Sequence, residues 1–425
     1  MFFRSAQRYD LNYNHFYMDM SDVVRAGIHL KEIQGYRYLD RDGRVMEEPD
    51  KAICTLPQLG IPVIDFSGQW VSKDSLEFAN FTPGRIGSIP FDYPRLIHSL
   101  PGKLAADAMK LEWDYDTADD PGLQDLLRRM GLHYGYHEHG NRGWVAITPQ
   151  SALEAPEKKI PCVVVLQEIA KCDPRSIPSA LSLWFEYLHI AAQGEIMLMF
   201  WVLEDANAND LLVDILRDAG RLYPFMDENR LFLTGHSHNA QYSLEFARRH
   251  PEMITGVATM GHMHGLDPRF NLINYPPEAQ EQLRRAKIPC INLNGQWENG
   301  FTDDSKASGY FLNDERRVEC WQARLNAFDC PPRTAEEILA ASRSGSRAVR
   351  MLGVPADRAD IRYFAGDECA VGDVLSRDGE VRLRVVTVQN LPHATSAHMP
   401  WISWEFLRRF ARDPASGKII NLYER

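Results

Sequence analysis

The chain lacks what marks a membrane span, a secreted disulfide scaffold or a nucleic-acid binder. Its longest apolar runs lie at 160–166 and 196–203, far short of the roughly 20 residues that cross a bilayer. The opening stretch MFFRSAQRYDLNYNHFY has no apolar core of the about 7–15 residues that a secretory leader carries. A cytoplasmic protein is the expectation. Cysteine is scarce and unpatterned: seven residues, an odd number, with no CxxC pair. Reduced thiols are expected rather than a disulfide framework. Cys162 and Cys290 sit in apolar, strand-like runs, while Cys320 and Cys330 flank one expected helix. Basic residues are outnumbered 47 to 58, for a net charge of −11. That balance argues against duplex nucleic acid and anionic membrane as partners. It also favours a neutral or cationic small substrate over a polyanionic one. No internal repeat and no low-complexity tract occurs.

What is present is ordinary for a folded enzyme-sized chain. Of 425 residues, 44% are hydrophobic and 25% charged, enough for one large domain with a smaller companion. Residues 1–130 are rich in turns and short extended runs, with helix-like segments at 104–111 and 122–131, and read as an N-terminal accessory region, partly β. From 131 onward the pattern sharpens. LHYGYHEHG and RGWVAITP form an expected hairpin across a Gly-Asn turn. IPCVVVLQ, EIMLMFWVLE, RLFLTGHS, MITGVATMG and IPCINLNG are short apolar runs of the kind buried on both faces of a parallel sheet. Helical patterns separate them at 179–193, 208–222, 239–252 and 278–286. Strands alternating with helices mean βαβ units and an α/β fold with a mostly parallel sheet and helices on both faces. An irregular block at about 299–380 reads as a helical cap insertion. It holds helical patterns at 314–328 and 334–352, followed by a hairpin of ADIRYFAG and EVRLRVVTV. A last helix is expected over 399–412.

One segment carries chemistry. Thr234-Gly235-His236-Ser237-His238-Asn239-Ala240 stands between a strand and a helix, the setting of a nucleophile elbow. The turn is sharp, so its neighbours must be small. Gly235 satisfies this on one side, and Asn239 stands where a second glycine is usual. Asparagine adopts unusual backbone angles more readily than most residues. The alternative is a serine that caps the following helix. A serine hydroxyl needs a base, and in this arrangement the chain order is serine, acid, histidine. Glu298, at the end of IPCINLNG, is the favoured acid, with Asp303 and Asp304 behind it. His393 is the favoured base, with His398 behind it. The oxyanion hole would take backbone N–H groups from His238 and from Gln167 or Glu168. Trp297, His236 and His262 are the expected pocket residues.

With these residues in place, the stretch 131–425 resembles the α/β-hydrolase superfamily. Within it the likeness is to the polyhydroxybutyrate depolymerase and feruloyl-esterase-like group. The likeness rests on IPCVVVLQ, on Tyr223-Pro224 and Asp227 before RLFLTGHS, on the Ser237 elbow, on IPCINLNGQWE, and on LPHATSAHMPWISWEFLRRFARDPASGKI. It implies serine-dependent hydrolysis of carboxylic esters, with Ser237 as nucleophile, Glu298 as acid and His393 as base. It implies a small-molecule ester as partner and no cofactor, and it is compatible with a homo-oligomer. Two other classes compete. His236, His238, His262 and His264 cluster at adjacent strand ends and would suit a metal. A catalytically inactive binding protein on the same fold is the third reading.

Overall fold

The computed structural model describes residues 37–39, 53–55, 62–65, 127–128, 130–140, 142–167, 185–202, 208–236, 238–261, 276–296, 298–306, 311–364, 367–389 and 399–423. In the first 130 residues these include three short strands, β1 (Arg37–Leu39), β2 (Ile53–Thr55) and β3 (Pro62–Asp65), paired in an antiparallel sheet. The helix-like segment at 104–111, and most of that at 122–131, lie outside the described residues.

The rest is organised by one ten-stranded sheet. Its strands are β4 (Leu132–His139), β5 (Arg142–Pro149), β6 (Ile160–Gln167), β7 (Met197–Val202), β8 (Met226–His236), β9 (Gly256–Met260), β10 (Cys290–Gly295), β11 (Arg358–Phe364), β12 (Asp367–Leu375) and β13 (Val381–Val388). They lie side by side in the order β11-β12-β13-β10-β9-β8-β6-β7-β5-β4. From β7 through β13 every neighbouring pair in the interior is parallel. The expected hairpin of β4 and β5 forms in register from Leu132↔Pro149 to His139↔Arg142 and adds antiparallel to β7. Continuous apolar runs make the interior strands because both faces are covered: Cys162 through Leu166 and Met197 through Phe200 are fully buried. Each such side chain contributes about 1.5–3 kcal/mol by leaving water.

Helices cover both faces. Helix Phe185–Ala192 packs with helix Met399–Leu407, and the latter lies on β9 and β10. On the opposite face helices Ala208–Leu222, His238–Arg249, Pro277–Ala286 and Asp314–Ala327 feed one continuous apolar cluster. Trp321, Leu325, Ile338 and Leu352, from the block expected to be a helical cap insertion at about 299–380, belong to that same cluster, and the block's β11 and β12 extend the main sheet, so it is part of the core and not a cap. This mostly parallel sheet with helices on both faces is the α/β-hydrolase fold expected from the sequence.

Four local expectations change. The single helical pattern at 334–352 is two helices, Ala335–Ala341 and Arg347–Leu352. Gly345 turns the chain at φ 98°, and each helix has its own cap, a Thr334/Glu337 capping box and Ser346. The expected two-stranded hairpin is a three-stranded meander, because β12 lies between β11 and β13. A buried ion pair fastens it: Arg384 Nε and Nη2 donate to Asp373 Oδ1 and Oδ2 at 2.6 and 2.9 Å. β8 begins at Met226, earlier than the apolar run RLFLTGHS indicates. The last helix stops at Leu407, and Phe410–Arg412 instead pairs as β14 with β15 (Ile419–Asn421).

Candidate active site

Parallel pairing brings the candidate residues to one edge of the sheet. The registers Val165↔Thr234, His236↔Met260, Met260↔Leu293 and Gly295↔Val388 align the carboxyl ends of β6, β8, β9, β10 and β13. Ligands bind at such ends in open α/β sheets. Gln167 closes β6 there, in register with Val202.

β8 ends at His236 and helix His238–Arg249 begins at His238, so position 237 alone joins strand to helix. Ser237 itself lies outside the described residues. The turn is tight enough to dictate its neighbours. A Cβ on residue 235 would stand 2.5 Å from the backbone carbon of Asn239 and 2.7 Å from its Cβ. Only glycine fits at 235, and its missing side chain is the space that Asn239 occupies. Asn239 is buried, and its carbonyl accepts from Ser243 Oγ at 2.9 Å. The helix N-terminus at His238 presents backbone N–H groups and the positive end of the helix dipole to this edge.

The acid turn after β10 is built differently. Glu298 is fully buried. Its Oε1 accepts from the Gly295 N–H at 2.8 Å, while its own N–H donates to the Gly295 carbonyl at 3.1 Å. Oε2 points the other way, toward Gly261. A Cβ on Gly261 would lie 3.1 Å from Glu298 Oε2 and 2.9 Å from His236 Nε2. Gly261, at φ 66°, thus leaves room for an imidazole and a carboxylate at once. His236 is buried, at 4% exposed.

The next residue holds the loop. Asn299 Oδ1 accepts from the N–H groups of Phe301 and Thr302 at 2.9 and 3.2 Å, and its Nδ2 donates to the Met351 carbonyl at 3.2 Å. Gln296 N–H donates to the Val388 carbonyl at 2.9 Å, tying the acid turn to the strand that precedes His393. The other candidate acids differ in setting. Asp303 is exposed, and Asp304 accepts from Gln296 Nε2 at 2.7 Å. Glu298 alone of the three is sealed from water.

Glu168, His262, His264, Trp297, His393 and His398 lie outside the described residues, as does the side chain of His238. Among the described residues no group of three or more His, Cys, Asp or Glu is placed to hold a metal ion. Cys162, Cys290, Cys320, Cys330 and Cys369 are buried and in no disulfide; burial pushes the thiols of Cys290 and Cys330 up to about 12. No described helix is long and apolar enough to cross a membrane. Sequence reasoning missed Gly261 and Asn299. Gly261 gives no signal along the chain, because its role arises from a neighbouring strand. Asn299-Gly300 is a turn signature that was open to reading.

No family model matches the sequence, and no curated protein matches it. Among solved structures, the chain is similar to a ferulic acid esterase at 14% identity, over 46% of this chain and 85% of that one, with a TM-score of 0.33. It is similar to a feruloyl esterase module from Clostridium thermocellum complexed with sinapinate at 10% identity, over 45% and 72%, TM-score 0.33. An S-formylglutathione hydrolase from Agrobacterium tumefaciens matches at 12% identity, over 39% and 76%, TM-score 0.31.

Proposed function

We propose that the chain is a serine esterase, with residues 131–425 as its catalytic unit and a Ser237–His393–Glu298 triad. The reading is carried by one observation: a strand-to-helix junction of a single residue, Ser237, shares a sheet edge with a buried carboxylate, Glu298. In this reading His393 takes the Ser237 Oγ proton as Oγ attacks the ester carbonyl. Glu298 orients the imidazole and stabilises the imidazolium that forms. The oxyanion is held by the N–H of His238, at the start of its helix, and by an N–H at the end of β6, at Gln167 or Glu168. The alcohol leaves with the proton from His393. Water then attacks the acyl-enzyme by the same base and releases the acid. Trp297 and His262 belong to the pocket in this reading.

Burial of Glu298 fits the role, since a carboxylate shielded from water acts on a nearby imidazolium at low dielectric. The test is turnover of p-nitrophenyl acetate and butyrate together with labelling by a fluorophosphonate. Wild type is expected to show both, and Ser237→Ala neither. Wild type that shows neither removes the esterase reading and leaves a binding protein on this fold. Alanine at His393 and at His398, assayed in parallel, identifies the base. Metal content measured on an active preparation decides whether the histidine cluster takes part.

A further inference from the structure

A cleft of about 310 Å³ opens beside the acid turn. Gln296 and Gln389, which follow β10 and β13, place it at the carboxyl edge of the sheet. Its lining is polar and unusually rich in arginine: Arg343, Arg347 and Arg350 come from one short segment, against Asp303 and Asp304 from the acid-turn side. That is three guanidiniums to two carboxylates, on a chain whose net charge is −11.

The partners of these groups differ. Asp304 is engaged by Gln296. Arg347 pairs with Glu368 and Arg343 reaches Asp314 at 3.7 Å, yet both arginines are more than half exposed, at 57% and 69%. The Arg343–Asp314 pair is exposed on both sides, and such a pair is weak and exchanges partners readily; Glu368, 11% exposed, holds Arg347 more firmly. Arg350 donates to the Gly345 carbonyl at 2.6 Å and has no carboxylate within ion-pair distance among the described residues. A guanidinium offers a planar fork that matches carboxylate and phosphate oxygens and retains its charge throughout. The volume sits at the low end of small-molecule pockets, roughly 300–1,000 Å³, so it suits a compact group rather than a polymer.

We propose that this cleft binds an oxyanion, carboxylate or phosphate, carried by the substrate, and that the preferred substrate is an ester bearing such a group close to its scissile bond. As a statement about substrate it rests on the serine esterase reading; as a statement about binding it does not. It reverses what net charge alone suggested, because the local field of a cleft, not the total charge, meets the ligand.

The test compares the mono-p-nitrophenyl ester of glutaric acid with p-nitrophenyl butyrate, and measures glutarate and inorganic phosphate binding by calorimetry. Wild type is expected to favour the glutarate ester by about tenfold or more in kcat/KM, a preference that shrinks with added salt. Arg350→Gln is expected to cut that ratio about tenfold, chiefly through KM. Arg343→Gln, at a largely exposed position that cannot unfold the chain, is expected to lower it in the same direction. Arg358→Gln, on the exposed edge strand β11 and outside the cleft, leaves the ratio unchanged and controls for net charge. Glutarate binding lost in Arg350→Gln supports a carboxylate; phosphate binding tighter than glutarate, lost in the same variant, supports a phosphate. Equal kcat/KM for the two esters in wild type, or binding of neither anion, overturns the proposal. If no ester is hydrolysed but anion binding depends on Arg350, the esterase reading fails and the cleft stands.

Discussion

Two turns meet at Gly261, and they are held by opposite means. The elbow at 235–239 is fixed by an absence: Gly235 has no side chain, and the backbone of Asn239 fills the space. The acid turn at 295–305 is fixed by polar groups that each find a partner, with Gly295 on Glu298 and the loop amides on Asn299. The first kind of turn fails when atoms are added. The second fails when they are removed. The difference explains why an asparagine is tolerated where a glycine is usual at 239. The close approach needs only one of the two facing residues to lack a Cβ, and Gly235 already does.

The largest test of this contrast is Glu298→Gln. The shape and the acceptor for Gly295 N–H are retained, so chemical denaturation should find near-native stability. The negative charge facing Gly261 is gone, and kcat for p-nitrophenyl butyrate is expected to fall roughly 10⁴-fold. A fall of less than tenfold would move the acid to Asp303 or Asp304 and leave the acid turn a structural device. Gly235→Ala comes next and probes the elbow. Its new Cβ would sit 2.5 Å from the Asn239 backbone carbon, a contact that only a backbone shift relieves. Destabilisation of about 3 kcal/mol is expected, with fluorophosphonate labelling lost alongside it. Gly235→Ala with native stability and labelling would show that the turn is looser than this packing implies.

How much of this was legible depends on what each element leans on. β6 and β7 announce themselves because burial on both faces leaves an unbroken apolar run; β9 and β10 carry the same signal with Thr259, Asn292 and Asn294 buried among the apolar residues. The elbow was legible for the same reason, since a strand signal and a helix signal leave room for one residue between them. The place of Glu298 just after β10 was legible from the strand's end, while its complete burial was not. β12 was not legible, because DECAVGDVL mixes three acidic residues and a glycine with its apolar ones. Its Gly372 is there for a neighbour: a Cβ would stand 2.6 Å from Leu352 Cδ1 of the helix packed on it. Gly261 was hidden likewise, its constraint coming from His236 and Glu298 on other segments. The arginine cleft runs against the chain's total charge, and composition cannot locate a local excess. The break at Gly345 was present in SRSGSR but was overridden by the helical spacing on either side.

The smallest effect sharpens the contrast from the acid side. Asn299→Ala removes no bulk that the core needs, since the side chain's work is to accept two buried N–H groups and to reach the Met351 carbonyl. Those amides then lie buried without their acceptor, at a cost of about 2 kcal/mol. Asn299→Asp keeps the acceptor but turns an oxygen of a buried carboxylate toward the Met351 carbonyl, so it should recover only part of that stability. If the two variants are equally destabilised in urea, the loop is held by packing and not by its polar partners. The acid turn would then resemble the elbow more than it differs from it. Activity sets the finer limit: kcat in Asn299→Ala is expected to fall less than tenfold, because Glu298 keeps its own bond to Gly295 whatever the loop beyond it does.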